Sequence, residues 1–427
     1  MSVTIKPVII VGFGPVGAVL SLLLARKGIP SIVIEALVTF SDEPRAVGFF
    51  GPSQGVLHEA GLYEEAKEQG LAASGLCFRK LARDDGAGGQ VWGDIVASSH
   101  IGAQTSGEPD IGSYMLLLPQ ARLVRIAAKK VEKFGAASLV DLHLGHRFIS
   151  SEEGPDGVTV TAEDQQGNKK VFSGSYLVGA DGSQSEVRRG LGLKLCGYTW
   201  PDRLVSTDIS RTIAELPEIP CCNIVDQRYW AAITPLEPIK PGVPGLWRYS
   251  MAVTDTTIPD EQLEDMDFIR SLVRRHLDGP RDQHFEVVRF RPYKMHQLLC
   301  PVWRRGRTLL AGDSAHINNP MGGLGLNTGI LDADALAQTL DLVLNQGQPE
   351  SLFDRYSHER RRVYQLFVNP MSAANKQRLH DSNPDTAAQE DWFFAGLKSD
   401  DPEERLAPNK GLMENWKTDM SRFRTKV

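Results

Sequence analysis

The first fifty residues leave this chain little choice of fold. Val8 to Val11 is a continuous apolar run, Gly12-Phe13-Gly14-Pro15-Val16-Gly17 follows, Ala18 to Arg26 has a helical pattern, and a second apolar run, Ser31 to Ile34, ends at Glu35. A strand that is apolar throughout is buried on both faces, so this order predicts a βαβ unit of a parallel sheet. In the turn, Gly12 permits the sharp bend, Gly14 lets backbone approach a pyrophosphate, and Gly17 lets helix pack on strand. Glu35 is placed to accept hydrogen bonds from ribose hydroxyls. A carboxylate there repels a 2′-phosphate, so the nucleotide expected is FAD or NAD rather than NADP.

Two later stretches repeat the logic of a strand ending at an acidic glycine turn. Tyr176 to Val178 runs into Gly179-Ala180-Asp181-Gly182 and a helix start, and Thr308 to Ala311 runs into Gly312-Asp313. After the second turn a glycine-rich loop leads to a helix beginning near Leu326. Asp313 suits sugar-like hydroxyls, and the bare N–H groups of Gly325, Leu326 and Asn327, at a positive helix end, suit an electron-accepting ring. Strand ends of an open α/β sheet form its ligand crevice, so the three turns are expected to serve one site.

The remaining segments frame that site. A polar turn at 42–48 contains Arg45, which answers a nucleotide phosphate or is an ordinary surface arginine; a helix is expected over 53–68 and another from 117 to 134, with Gln120 at its start. Residues 140–178 alternate as a β-meander. Between 196 and 300 there are strands, a helix near 259–277 and dense aromatics, among them Tyr229, Trp247, Tyr249 and Tyr293, suited to an apolar pocket. The Arg360-Arg361-Arg362 run is expected on a solvated helix face, and the chain from His380 onward as a peripheral tail, with a lid or an oligomer contact as alternatives. A polar loop is expected over 98–107.

Charge and cysteine content exclude several classes. The net charge of -6 supplies no attraction to nucleic acid or an anionic membrane. The five cysteines have no CxxC spacing, so free thiols in a reducing, cytoplasmic setting are expected, with no metal site. No apolar run reaches the ~20 residues of a membrane span.

The three motifs, GFGPVG followed by Glu35, GADGSQSEVRR at 179–189 and GRTLLAGDSAHINNPMGGLGLNTGILDA at 306–333, resemble those of the class A flavoprotein aromatic monooxygenases, the family of 4-hydroxybenzoate hydroxylase and phenol hydroxylase. The resemblance implies an α/β fold: a Rossmann-like FAD-binding domain (1–76, 114–195 and 302–345), an inserted β-rich substrate domain (77–113 and 196–301) and a helical C-terminal segment (346–427). It implies FAD held by Gly12, Gly14, Pro15, Val16, Gly17, Glu35, Ala36, Arg45, Gln120, Asp181 and Asp313. The ring would lie along Gly323, Leu324, Gly325, Leu326 and Asn327, with Pro320 beside it.

The chemistry implied is reduction of FAD by NADPH or NADH, formation of a flavin C4a-hydroperoxide with O2, and hydroxylation of a small phenolic or electron-rich aromatic. A phenol reacts faster as phenolate, so a base or hydrogen-bonding group is expected; His296, Tyr229 and Tyr249 are the candidates. The protein would be a monomer or homodimer. The alternatives are a reductase or dehydrogenase of the same fold without oxygen insertion, and a non-catalytic flavin-bound regulator. No WxWxIP-like segment suggests a halogenase, and no segment matches the benzoate-binding residues of 4-hydroxybenzoate hydroxylase.

Overall fold

The computed structural model describes residues 5–73, 75–99, 111–135, 139–413 and 416–425. Strand Val8–Val11 pairs in parallel with Ser31–Glu35, and helix Pro15–Arg26 joins them. Gly12 has φ of 101°, and a Cβ there would collide with the Ala180 carbonyl; one on Gly17 would collide with the Gly12 carbonyl. Only glycine at both positions lets helix, turn and neighbouring strand approach so closely.

Around this unit grows a six-stranded sheet in the order Val140–Leu144, Ser31–Glu35, Val8–Val11, Leu177–Gly179, Thr308–Leu310, Arg304–Arg305. The first five strands are parallel and only the edge strand Arg304–Arg305 is antiparallel. Val8, Ile9 and Ile10 are fully buried, each contributing roughly 1.5–3 kcal/mol of apolar burial. Helices Gln120–Gly135 and Leu324–Leu344 both pack on Pro15–Arg26.

The stretch expected as one meander divides. Strands Arg147–Gly154, Gly157–Glu163 and Lys169–Gly174 do form an antiparallel sheet, but Val140–Leu144 joins the parallel one beside Ser31–Glu35. Helix Gln120–Gly135 precedes it and acts as the crossover that a parallel neighbour needs. The helix expected over 53–68 is likewise two, Pro52–Glu59 and Tyr63–Gln69, broken where Gly61 takes φ of 76°.

A second, eight-stranded sheet has the order His316–Ile317, Phe285–Leu299, Cys196–Arg211, Gly245–Val253, Ala231–Pro235, Cys222–Ile224, Leu76–Arg79, Ile95–Ser99. Helix Met266–His276 covers one of its faces, burying Ile209, Ile233, Trp247, Tyr249 and Met251 with Ile269, Leu272 and Val273. The other face looks toward the strand ends of the first sheet. Beyond Ser99, the loop expected over 98–107 lies outside the described residues.

Two expectations for the C-terminal third are corrected. Arg360, in helix Ser351–Val363, is completely buried rather than solvated, because the carboxylate of Asp332 lies inside the fold to receive it. The segment after His380 is no peripheral tail: Trp416 and Met420 are fully buried in the main core, and Phe393 and Phe394 pack against Phe78 of the second sheet. Its scattered apolar residues find their surface only in the folded protein.

Candidate active site

Parallel register brings the three acidic or glycine turns together. Val11 pairs with Gly179, and Gly179 pairs with Leu310, so the turns that follow stand side by side at one edge of the sheet. They open into a continuous cavity of about 1220 Å³ running between the two sheets. Gly12, Gly14, Pro15, Val16, Glu35, Ala36, Arg45, Gln120, Asp181 and Asp313 all line it, as do Pro320, Gly323, Gly325 and Leu326.

The groups at the nucleotide end are arranged for a large polar ligand. Glu35 accepts the N–H of Phe13 at 2.7 Å and of Leu37 at 2.9 Å, which fixes its carboxylate at the strand end. Nothing lies within 4 Å of where a Gly14 Cβ would stand, so the backbone there is bare toward the cavity. Asp181 accepts the Val187 N–H at 3.1 Å through one oxygen, while its other oxygen is buried without a partner. Burial pushes the Asp181 carboxyl above its ordinary pKa, the hydrogen bonds of Ser185 and Val187 offsetting only part of this.

Asp313 is open to the cavity yet enclosed by protein, and this enclosure raises its carboxyl, with His316 and Arg45 offsetting part of the rise. Behind it sits a buried network. Asp332 accepts the Gly312 N–H at 3.1 Å and His316 Nε2 at 2.8 Å with one oxygen, and Arg360 Nε at 2.7 Å with the other. Burial alone would raise the Asp332 carboxyl, but Arg360 and His316 hold it below the ordinary range. Arg360 also donates to the Trp416 and Thr328 carbonyls and to Thr418 Oγ1. The turn that presents Asp313 is therefore clamped from behind by three charged or polar side chains, none of which faces the cavity.

Some residues expected at the site stand behind its wall. Gly17 and Leu324 are packing residues, and Asn327 is fully buried, its amide bonded to Ser53 Oγ at 2.5 Å and to the Gly48 and Gly323 carbonyls at 2.9 and 2.7 Å. Asn327 thus ties the glycine loop to the 48–53 segment. Arg45 pairs with Glu43 at 3.2 Å, and Glu43 also pairs with Arg291.

The catalytic candidates separate by strand alternation. Arg248 and Ser250 face the cavity, so Tyr249 between them points to the opposite face, where it is fully buried and its hydroxyl accepts from Arg211 Nη1 at 2.9 Å. Tyr229 is also outside the cavity, with Arg275 over its ring at 4.5 Å. His296 does line the cavity, with Nδ1 2.8 Å from Thr199 Oγ1; burial and then Lys294 lower its pKa. Tyr293, alone among the four aromatics named in this region, faces the cavity, and it is not among the catalytic candidates expected from the sequence. Burial pushes its phenol well up, with Arg248 and Ser250 offsetting part of the rise, and Ser250 Oγ lies 3.1 Å from Ser206 Oγ. The signal that could have found it is register: Leu204 pairs with Tyr293 and Ala252, one step of two from the Ser206–Ser250 pair.

Helices beyond residue 346 close the chamber. Leu366 and Phe367 of the π turn Tyr364–Val368, then Met371, Asn375 and Arg378 of helix Asn369–Asp381, and Trp392 and Phe393 all line it.

A parallel-sheet crevice with a bare glycine turn, a buried carboxylate oxygen without a partner at Asp181 and a second acidic turn at Asp313 fits FAD, and these features define a flavoprotein of the FAD-binding type. A family model described as FAD binding domain matches residues 6–370. The chain is 31% identical over 404 residues to a para-nitrophenol 4-monooxygenase of a Pseudomonas species, covering 93% of each. It is also 31% identical over 386 residues to the 6-hydroxy-3-succinoylpyridine 3-monooxygenase of Pseudomonas putida, covering 90% of this chain and 91% of that protein. The crystal structure of p-nitrophenol 4-monooxygenase from Pseudomonas putida superposes with a TM-score of 0.81 at 28% identity, over 96% of this chain and 98% of that one. The chain belongs to this FAD-binding family and is an FAD-dependent aromatic monooxygenase.

Proposed function

We propose that the protein uses NAD(P)H and O2 to hydroxylate a phenolic substrate seated between the glycine loop and the cavity face of the eight-stranded sheet. The observation that carries this is the continuity of one cavity from the fingerprint turn, past Asp313 and the glycine loop, into a chamber walled by Phe50, Phe78, Met115, Tyr293 and Phe367. FAD supplies the oxygen-transferring chemistry when bound. The protein's residues hold it, orient the ring and keep water out.

In this reading Gly12, Gly14, Pro15 and Val16 take the pyrophosphate, Glu35 and Ala36 the adenosine ribose, and Arg45 and Gln120 the phosphate and ribityl region. Asp181 and Asp313 supply acceptors; Gly323, Gly325, Leu326 and Pro320 flank the ring. Gly17, Leu324 and Asn327 act from behind. The division into an FAD-binding domain, a β-rich substrate domain and a C-terminal helical segment is retained, with the last contributing chamber wall. The unpaired cysteines suit a reducing, cytoplasmic setting, and among the described residues no helix is long and apolar enough to cross a membrane; the proposed assembly is a monomer or homodimer.

Tyr293 replaces Tyr249 as the phenol-facing hydroxyl. Tyr293→Phe is expected to raise the KM for a phenol roughly 3- to 10-fold with FAD content unchanged, the worth of one neutral hydrogen bond. Tyr249→Phe should leave that KM alone. Substrate titration of NAD(P)H oxidation measures both. For the reaction itself, labelled O2 should place one atom in the product; a product without label would leave the reductase reading instead.

A further inference from the structure

We propose that Arg378, with Asn375, is the anion-recognising end of the substrate chamber, so that the enzyme binds aromatics bearing an anionic oxygen, either phenolate or an acidic ring substituent. This rests on the reading that the glycine loop faces the flavin ring and the adjoining chamber the substrate.

Arg378 and Asn375 lie one turn apart on helix Asn369–Asp381 and both line the cavity. Asn375 abuts the glycine loop, since a Cβ on Gly322 would overlap its amide. Arg378 Nη1 donates to Asn375 Oδ1 at 3.1 Å, and its guanidinium lies over Phe393 at 4.4 Å and Trp392 at 5.2 Å. Phe393 packs edge-on against Phe78 of the sheet, so a cation only 12% exposed is held rigidly between loop and sheet. Its Nε faces both oxygens of Asp391 at 3.2 and 3.3 Å, and Asp391 also caps the next helix by accepting the Phe393 N–H at 2.7 Å. Among the described residues, Nη2 donates to none.

The other cations of the cavity are held bidentate, lie at the nucleotide end, or are far more exposed, Arg45 at 49%, Arg291 at 44% and Lys294 at 57% against 12% for Arg378. Arg248 is bidentate to Asp208 at 2.7 and 2.9 Å, Arg291 pairs with Glu43, and Lys294 pairs with Asp260 at 3.1 Å. Arg147 and Arg189 flank the strand-end turns at the nucleotide end. A partly desolvated guanidinium whose Nη2 is unused, facing the chamber, is suited to an oxyanion. The competing role is a clamp that merely joins helix 369–381 to helix 392–397 through Asp391.

Calorimetric titration of the FAD-loaded protein with 4-nitrophenol, 4-hydroxybenzoate and uncharged phenol separates the two. Arg378→Met keeps the stem on Phe393 and should weaken binding of the anionic ligands roughly 10- to 100-fold, with uncharged phenol changed by less than about threefold. Asp391→Asn keeps the cap, removes the counter-charge and should tighten the anions. Titrating 4-nitrophenol below and above its own pKa identifies the source: an Arg378 effect confined to the ionised form assigns phenolate, and one confined to 4-hydroxybenzoate assigns the ring substituent. Equal losses for charged and uncharged ligands, or no loss for either anion, overturn the proposal and leave the clamp. Binding is read without turnover, so Arg378-dependent anion affinity in a protein that inserts no oxygen upholds this site and sinks the hydroxylase reading instead.

Discussion

Asp313→Ala should purify largely without FAD, while folding normally. The carboxylate opens on the cavity and makes no hydrogen bond to a described residue, so alanine removes no structural contact. Enclosure by the walls of the cavity raises its pKa, and a ligand's hydroxyls would supply the hydrogen bonds that no described residue gives it. Two charge-assisted hydrogen bonds at about 1.5–3 kcal/mol each correspond to a loss of roughly 100-fold or more in FAD affinity. Flavin absorbance per polypeptide after gel filtration measures it, with circular dichroism as the folding control. Undiminished flavin content would refute the assignment of Asp313 to the cofactor.

Arg360→Met should destabilise the whole protein by about 3–5 kcal/mol, because it strands the buried Asp332 carboxylate with only His316 and a backbone amide. The linkage sets the pH dependence. The folded-state pKa of Asp332 is depressed, so its stabilising contribution is present above the ordinary carboxylate pKa and is lost as pH falls through the depressed value. Removing Arg360 removes the chief cause of that depression, so the variant's deficit should be large near neutrality and shrink in acid. Denaturation midpoints of wild type and variant across pH test this; a deficit independent of pH would mean that Arg360 acts only through Trp416 and Thr418. Because the same network seats the Gly312–Asp313 turn, flavin retention should fall in parallel.

These two residues differ in how far the sequence announces them. Asp313 is legible because its neighbours are local: an apolar strand before it, a glycine turn around it and a helix after it all fall within one short stretch. Arg360 is not, since an arginine triplet on a helix carries no mark of which member finds Asp332, distant in sequence. The same distinction separates Glu35 and Asp181 from Tyr293. The former sit at strand ends defined by apolar runs. The latter depends on which face of a long strand meets the cavity, and a one-residue shift of register, such as that between Asp208 and Ile209, changes that face. Tyr249 and Tyr293 are equal in chemistry and differ only in direction, which the sequence does not show.

The sequence by itself determined the parallel sheet, the glycine turn at its first strand end, the acidic turns at two others, and hence a flavin crevice, because each is written in contiguous residues whose periodicity and backbone freedom are local properties. The tertiary structure alone decided which aromatics line the substrate chamber, that the helices beyond residue 346 close it, and that Arg360 and Arg378 turn inward rather than to solvent. Those outcomes depend on which distant surfaces come together, and no local pattern encodes the partner of a side chain.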